Sequence, residues 1–393
     1  MVKILDSTLR EGEQTPGVCF DIHIKSAMAD LLNDLGVDII EAGHPAVTLE
    51  IHQAVKEIAH RGLKATIGAH ARSLEKDVNL ALECGVGFIG IFYCVSDERL
   101  NHHSTDLNQA VDKIGKVIRY VKEKKPSILV RYTPEDTVRS PWENVITAAS
   151  VAVEAGADII SIADTTGYMI PGTNRNMYDF VRRLKDELAA RNRFPQIAVH
   201  CHNDRGLALA NALDGYRGGA DIIDATVLGL GERAGLVDIG TLLAVLSRDF
   251  DENANQQWNT SVLPELYRVV SRFSGIPVPV NFPVTGKNAF THCAGIHTQA
   301  ALKNPLHYQS IEPEMVGRDS HISLDHMSGI SAVYYSLNEI GEGDMDEKTA
   351  NLVLAKVKEV GQMGRVVDLE ELKYIVRYIK THPMLDIINH YIN

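Results

Sequence analysis

The feature that most constrains this chain is a helix-ending turn used four times, each time just ahead of a short apolar run. Leu35-Gly36-Val37-Asp38, Cys84-Gly85-Val86-Gly87, Ala155-Gly156-Ala157-Asp158 and Gly218-Gly219-Ala220-Asp221 share one form. A helix commonly closes on a residue in the left-handed conformation, which glycine adopts without steric cost. Near-copies of one turn imply a repeated helix-to-strand unit. Short apolar runs alternate with longer amphipathic stretches roughly every 25–35 residues, the pattern of βα units. Strands are expected at residues 3–6, 38–41, 64–68, 88–92, 128–132, 159–162, 197–201 and 222–226. Helical stretches such as 107–124 and 207–216 follow them.

Eight such units in about 250 residues predict an α/β fold, a (β/α)8 TIM barrel with a smaller, mostly helical C-terminal region. A doubly wound open sheet is the alternative. That fold expects a glycine-rich phosphate loop after the first strand, where this chain has Arg10-Glu11-Gly12-Glu13-Gln14. The polar stretch 249–257 marks the expected boundary. It gives a catalytic barrel over residues 1–250 and a helical lid and dimerisation region over residues 251–393. In the latter, helices are expected at 263–273, 331–339, 347–361 and 369–382, with a long Gly/Pro-bearing stretch at 276–325. Such a tail is too short for a second barrel and suits a cover for a barrel mouth, in its own subunit or in a partner.

At 393 residues and 45% hydrophobic content, the chain can bury one large core and a smaller one. Its 51 acidic against 39 basic residues give a formal charge of −12, which argues against nucleic acid or an anionic membrane as partner. No apolar run approaches the roughly 18 residues of a membrane span, and the N-terminus lacks the pattern of a secretion signal. The five cysteines are scattered without metal-finger spacing, so free thiols and a cytoplasmic location are expected.

In a parallel barrel, the C-terminal ends of the strands face the active site. Here these ends are polar or ionisable almost throughout. Strand one leads into Asp6-Ser7-Thr8-Leu9-Arg10-Glu11, strand two into Glu41 and His44, and strand three into His70 and Arg72. Strand five leads to Arg131 and Glu135, strand six to Asp164-Thr165-Thr166, and strand seven to His200-Cys201-His202-Asn203-Asp204. Two residues apart on an extended chain, His200 and His202 point the same way and can reach one ion. A carboxylate completes such a pair for a divalent cation with open positions. Glu11 is the best third ligand, since strand one closes the barrel beside strand eight; Asp6 is the alternative carboxylate. Arg10 beside a metal suits an oxyanion formed when a carbanion attacks a carbonyl. Glu135 reads as a base or as a group that orients one, and Arg131 as a carboxylate holder or a strand cap. In the tail, Phe290-Thr291-His292-Cys293-Ala294-Gly295-Ile296-His297 and Tyr308 offer an acid/base set within a long irregular stretch. His60, His102 and His103 read as solvated surface residues.

Asp6-Ser7-Thr8-Leu9-Arg10-Glu11-Gly12-Glu13-Gln14 resembles the opening signature of the metal-dependent Claisen-condensing acyltransferases, the homocitrate, 2-isopropylmalate and citramalate synthases. His200-Cys201-His202-Asn203-Asp204-Arg205-Gly206-Leu207-Ala208, followed by Gly229-Leu230-Gly231-Glu232-Arg233-Ala234-Gly235, resembles their second signature. The likeness continues through residues 290–297 and Tyr308. It implies that Glu11, His200 and His202 bind a divalent metal, whether zinc, magnesium, manganese or cobalt, which chelates the acceptor's carboxylate and 2-oxo group. Arg10 then stabilises the oxyanion. His297, assisted by Glu135 and Tyr308, takes part in deprotonating acetyl-CoA, and Arg131 and Thr165 contact the 2-oxo acid. Gln14, Glu41, His70, Arg72 and Arg205 complete the expected substrate-binding set, and a homodimer is implied.

Departures bear on the acceptor. Isopropylmalate synthases usually carry Asn where this chain has Leu236, Phe where it has His44, and an apolar residue where it has Arg205. Homocitrate synthases resemble this chain in having an aliphatic residue at the first position. Together His44, His70, Arg72 and Arg205 imply an acceptor with a second anionic group, since burying that charge needs a paired cation. The order of expectation is 2-oxoglutarate, then oxaloacetate or phosphonopyruvate, then 2-oxoisovalerate. Leu324-Asp325-His326-Met327-Ser328-Gly329 replaces the Gly-Lys-His-Ser-Gly of many relatives, which weakens any transfer of CoA contacts to that segment. The alternative class is an acyl-CoA lyase or aldolase on the same barrel. A biotin-dependent carboxyltransferase would carry a modified lysine where this chain has Ala163, and a non-catalytic metal-binding protein predicts bound metal and no thiol release with any acceptor.

Overall fold

Each of the four glycine turns closes a helix as the sequence requires: Gly36, Gly85, Gly156 and Gly219 all have φ between 81° and 109°. In the computed structural model, which describes residues 2–250 and 257–382, the chain forms two compact units, Met1–Val278 and Pro279–Asn393.

The first unit is the expected barrel. Strands β1 (Lys3–Asp6), β2 (Ile39–Glu41), β3 (Thr66–Arg72), β4 (Phe88–Cys94), β5 (Leu129–Glu135), β6 (Ile159–Asp164), β7 (Gln196–Cys201) and β8 (Ile222–Ala225) form one closed sheet in chain order. It closes because β1 pairs in parallel with both β2 and β8. Outside it run α1 (Ile22–Leu35), α2 (Leu49–Ala59), α3 (Glu75–Glu83), α4 (Asp97–His102), α5 (Leu107–Lys124), α6 (Trp142–Glu154), α7 (Met177–Ala190), α8 (Ala208–Arg217) and α9 (Ile239–Val245). Strands β3 and β5 run to Arg72 and Glu135, further than their apolar runs indicate, because their last inward residues are polar.

Strand alternation explains where the site must lie. Leu5, Ile39, Phe88, Ile159, Ala198 and Ile222, with Leu129, plug the interior as one apolar layer. Two residues further along the same strands stand Ser7, Glu41, Gly90, Ser161, His200, Asp224 and Arg131. The layer above the plug is therefore polar on nearly every strand. Gly90 is needed in it: a Cβ there would lie 3.1 Å from His70 Nδ1 and 3.2 Å from Glu41 Oε1.

The expected boundary at 249–257 falls mostly outside the described residues. The next helix, α10 (Leu263–Ser274), expected in the tail, packs on α1 within the barrel unit. Its Leu263, Leu266, Tyr267 and Val270 are buried, and the Tyr267 hydroxyl both accepts from Gly240 N at 2.9 Å and donates to Asp238.

The second unit has a short parallel pair, β9 (Thr291–His292) and β10 (His321–Ile322), and helices α11 (Gly295–Ala301), α12 (Ile330–Glu339), α13 (Glu347–Gly361) and α14 (Leu369–Thr381). Val333, Leu337, Val353, Val357, Leu372 and Val376 belong to its own apolar core. All five cysteines are free thiols, and among the described residues no helix is long and apolar enough to cross a membrane.

Candidate active site

The polar layer opens into a cavity of about 380 Å³ at the C-terminal end of the strands. Of the residues singled out in the sequence, Arg10, Glu11, Gln14, His44, His70, Arg131, Glu135, Thr165, His200 and His202 line it. Glu41 lies fully buried behind that lining. Its Oε2 accepts from Ser7 Oγ at 2.6 Å and Arg10 Nε at 2.7 Å, and its Oε1 meets His70 Nδ1 and Arg131 Nη2, each at 3.1 Å. Burial opposes its charge, but Arg10 and Arg131 hold the carboxyl well below the usual range. Glu41 is thus a hub for the residues around it, a different place from the substrate contact expected of it.

Arg72 and Arg205 do not line the cavity. Arg72 is exposed and forks onto Asp77 (2.6 and 3.1 Å), while Arg205 Nε donates to Gly167 O at 2.8 Å. Asp77 also meets His44 Nε2 at 3.2 Å. Asp6, the alternative metal carboxylate, is wholly buried and accepts from both the backbone and the hydroxyl of Thr8, each at 2.9 Å. Burial raises its carboxyl to about 7.

His200 and His202 face each other as the two-residue spacing requires. Their Nε2 atoms are 3.3 Å apart. Two ligands on one ion at about 2.1 Å, with a tetrahedral to right-angled spread, stand about 3.0–3.4 Å apart. His200 Nδ1 lies 2.9 Å from Asp224 Oδ2, so with its Nδ1–H donated there, Nε2 keeps its lone pair for the cavity. Burial, then His200, lowers His202 to about 4, leaving it neutral at physiological pH. Glu11 pairs with Arg10 and accepts weakly from Glu232 N at 3.4 Å. Burial opposes the Glu11 charge, but Arg10, His200 and His202 hold its carboxyl below the usual range. With its amide turned to donate, Gln14 reaches both Glu11 oxygens, at 2.7 and 2.9 Å. Among the described residues no three His, Cys, Asp or Glu side chains stand together at metal-holding positions, and the histidine pair supplies two convergent nitrogens.

The cavity also contains residues that the sequence reading did not single out. Asp224 joins Arg131 (2.7 Å) to His200 and so links the cationic layer to the histidine pair. Its signal was positional: it stands two residues above the plug residue Ile222. Phe92 stacks on His70 with ring centroids 4.8 Å apart. Arg99, Thr133, Ser161, Glu232 and Arg233 complete the polar wall. The Gly229–Gly235 segment folds back onto the loop after β1, with Gly231 N donating to Thr15 Oγ1 at 2.8 Å, which brings Glu232 beside Glu11. Five buried polar atoms of the lining have no hydrogen-bond partner: Arg131 Nε, Thr133 Oγ1, Ser161 Oγ, His202 Nδ1 and Asp224 Oδ1. An unsatisfied buried polar group costs about 1–3 kcal/mol, so their concentration in one cavity is the mark of a wall built for a polar guest.

In the second unit, His297 on α11 and Tyr308 stand together, ring centroids 4.3 Å apart. His292 lies 6.5 Å from Tyr308 and is held by Gln309 Nε2 at 3.1 Å. The unusual 324–329 segment supports this group, because Gly295 N, at the start of α11, donates to Met327 O at 3.2 Å.

Comparison with known proteins gives a consistent picture. The HMGL-like family model matches residues 1–270, and the model described as homocitrate synthase post-HMGL domain-like matches residues 284–365. A homocitrate synthase of Pyrococcus horikoshii is 41% identical over 356 residues, covering 90% of this chain and 94% of that one. One from Methanocaldococcus jannaschii is 39% identical over 380 residues, covering 96% and 91%. Among solved structures, an HMG-CoA lyase of Bacillus subtilis superposes with a TM-score of 0.58 at 23% identity, covering 71% of this chain and 95% of that one, and supports the barrel fold alone.

Proposed function

Because this chain belongs to the HMGL-like family, with a homocitrate synthase-type module following the barrel, we propose that it condenses acetyl-CoA with a 2-oxo acid and releases CoA by hydrolysis. The acceptor proposed first is 2-oxoglutarate, giving homocitrate, the product named for relatives that match over most of both chains. The observation that carries the reading is the pair of convergent imidazole nitrogens, oriented by Asp224 and faced by Glu11 and Arg10 in a cavity lined with unpaired polar atoms.

Glu11, His200 and His202 support a divalent cation: two convergent imidazole nitrogens at ligand spacing, His202 neutral, and a carboxylate held ionised beside them. When bound, such an ion supplies Lewis-acid polarisation of a carbonyl and a fixed seat for a 2-oxo carboxylate. Arg10, buried and locked by Glu11 and Glu41, presents a fixed guanidinium to negative charge developing on the acceptor oxygen. Arg131 and Thr165 orient the acceptor within the cavity, and Gln14 steadies Glu11. Glu135, His297 and Tyr308 serve proton transfer from the acetyl methyl group. The methyl carbon then bonds to the acceptor's 2-oxo carbon, and water cleaves the thioester to give free thiol. A cytoplasmic homodimer belongs to the same reading, supported for location by five unpaired thiols.

Thiol release with acetyl-CoA is the test, run across 2-oxoglutarate, oxaloacetate, phosphonopyruvate and 2-oxoisovalerate. Highest kcat/KM is expected with 2-oxoglutarate. Highest kcat/KM with 2-oxoisovalerate would refute the dianionic acceptor, and acyl-CoA release from a hydroxy acid without any added 2-oxo acid would favour a lyase.

A further inference from the structure

The carboxylate of Glu135 is held by a residue outside the expected catalytic set. Glu135 ends β5, and the next residue, Asp136, adopts a left-handed backbone (φ 61°), an uncommon conformation for a non-glycine residue. That turn is pinned on two sides. Asp136 N donates to Thr165 Oγ1 at 3.0 Å, and the Asp136 carboxylate takes both arms of Arg139 (2.7 and 2.8 Å). Glu135 is therefore fixed at the cavity wall by its backbone, and Arg99 Nη1 donates to its Oε1.

Arg99 comes from α4, a short helix with its own anchors. Leu100 is buried beside Cys94 and Ala110, and Asn144 Nδ2 bonds Val95 O (2.9 Å) and Asp97 Oδ1 (3.0 Å). The remaining cavity guanidiniums are committed elsewhere: Arg10 to Glu11 and Glu41, Arg131 to Glu41 and Asp224, Arg233 to Asp204. Arg99 alone among them is aimed at Glu135, with Asp136 Oδ2 3.8 Å from its Nε.

We infer that Arg99 is the positioning residue for Glu135 in the methyl deprotonation step, an inference that rests on the acyl-transfer reading. In that step the methyl C–H bond breaks, its electron pair passes into the thioester enolate, and the proton is passed to Glu135. Arg99 fixes Oε1 and so sets the direction in which Oε2 meets the proton. A guanidinium can hold one carboxylate oxygen at fixed distance and in plane, which an ammonium does less rigidly.

The test is steady-state kinetics of Arg99→Met and Arg99→Lys, each with acetyl-CoA and with acetyl-CoA deuterated at the methyl group, alongside thermal unfolding. For Arg99→Met, kcat should fall on the order of 100-fold, the range of a displaced acid–base group. Both KM values should stay near wild type, and the deuterium isotope effect on kcat should rise as deprotonation becomes limiting. Arg99→Lys should recover a large part of kcat. Raised KM with unchanged kcat and isotope effect overturns the inference, as does a loss of kcat that tracks lowered unfolding temperature with no isotope-effect change. A wild-type chain that releases no thiol with any acceptor overturns the acyl-transfer reading and this inference with it. An active wild type with a kinetically indifferent Arg99→Met variant overturns this inference alone.

Discussion

Glu41 sits where three cationic or polar neighbours and a histidine meet, and its chemistry sets the shape of the cavity above it. Removing one partner from a buried charge network leaves the others uncompensated, at about 3–5 kcal/mol. Glu41→Gln is therefore expected to lose roughly that much stability at neutral pH, measured by urea unfolding. The sign with pH follows from the depressed Glu41 carboxyl, well below 4.5 in the folded chain. Its contribution is fully present above the ordinary carboxylate range and is lost only as pH falls through the lowered folded value. The gap between wild type and Glu41→Gln should then be wide at pH 7 and narrow in strong acid. At this scale the sequence was partly legible. His200 and His202 carry a spacing that lets both imidazoles reach one ion at the end of an apolar strand, and Glu11 stands out through barrel closure. Asp224 carried only its position two residues above Ile222, and Arg99, in the charged run Asp97-Glu98-Arg99, reads as a solvated helix residue; only the fold shows what each touches.

The strands were legible because apolar runs between glycine turns read as parallel strands, and closure followed from eight such units without a glycine-rich phosphate loop after the first. Their ends were less so. Strands β3 and β5 continue to Arg72 and Glu135, where inward positions become polar and the hydrophobic signal fades. The same fading hid how deep the polar layer begins, two residues above the apolar plug. Helix α10 was legible as a helix at 263–273 but not as part of the barrel unit: its apolar stripe fits any partner, and its barrel partner α1 lies far away in sequence. Tyr267 also locks α10 to the start of α9, its hydroxyl joining Asp238 to Gly240 N. Tyr267→Phe leaves both groups short of a partner and should lower unfolding free energy by about 1–3 kcal/mol. Because the change lies outside the cavity, kcat/KM should stay close to wild type. A variant that keeps full stability in urea would show the lock to be idle.

At the scale of the molecule, an acidic chain assembles a cavity rich in guanidinium and imidazole groups. Formal charge is −12 overall, yet Arg10, Arg99, Arg131, Arg233 and four histidines of the site converge on one barrel mouth. The sequence showed this concentration along the strand ends, and the fold explains it through neutralising carboxylates placed one shell behind. Two of the basic residues expected to select a dianion, Arg72 and Arg205, are engaged outside the cavity, while His44, His70 and Arg131 line it. The central claim is that carbon–carbon bond formation occurs in this cavity with a divalent ion on Glu11, His200 and His202. The most direct measurement is NMR analysis of the product from acetyl-CoA labelled with 13C at the methyl carbon and 2-oxoglutarate, using metal-stripped and metal-restored protein. The label is expected in the new methylene of homocitrate with restored protein, and in no condensed product with stripped protein or with His202→Ala. Label recovered only as free acetate, or equal condensation with and without metal, would contradict the account.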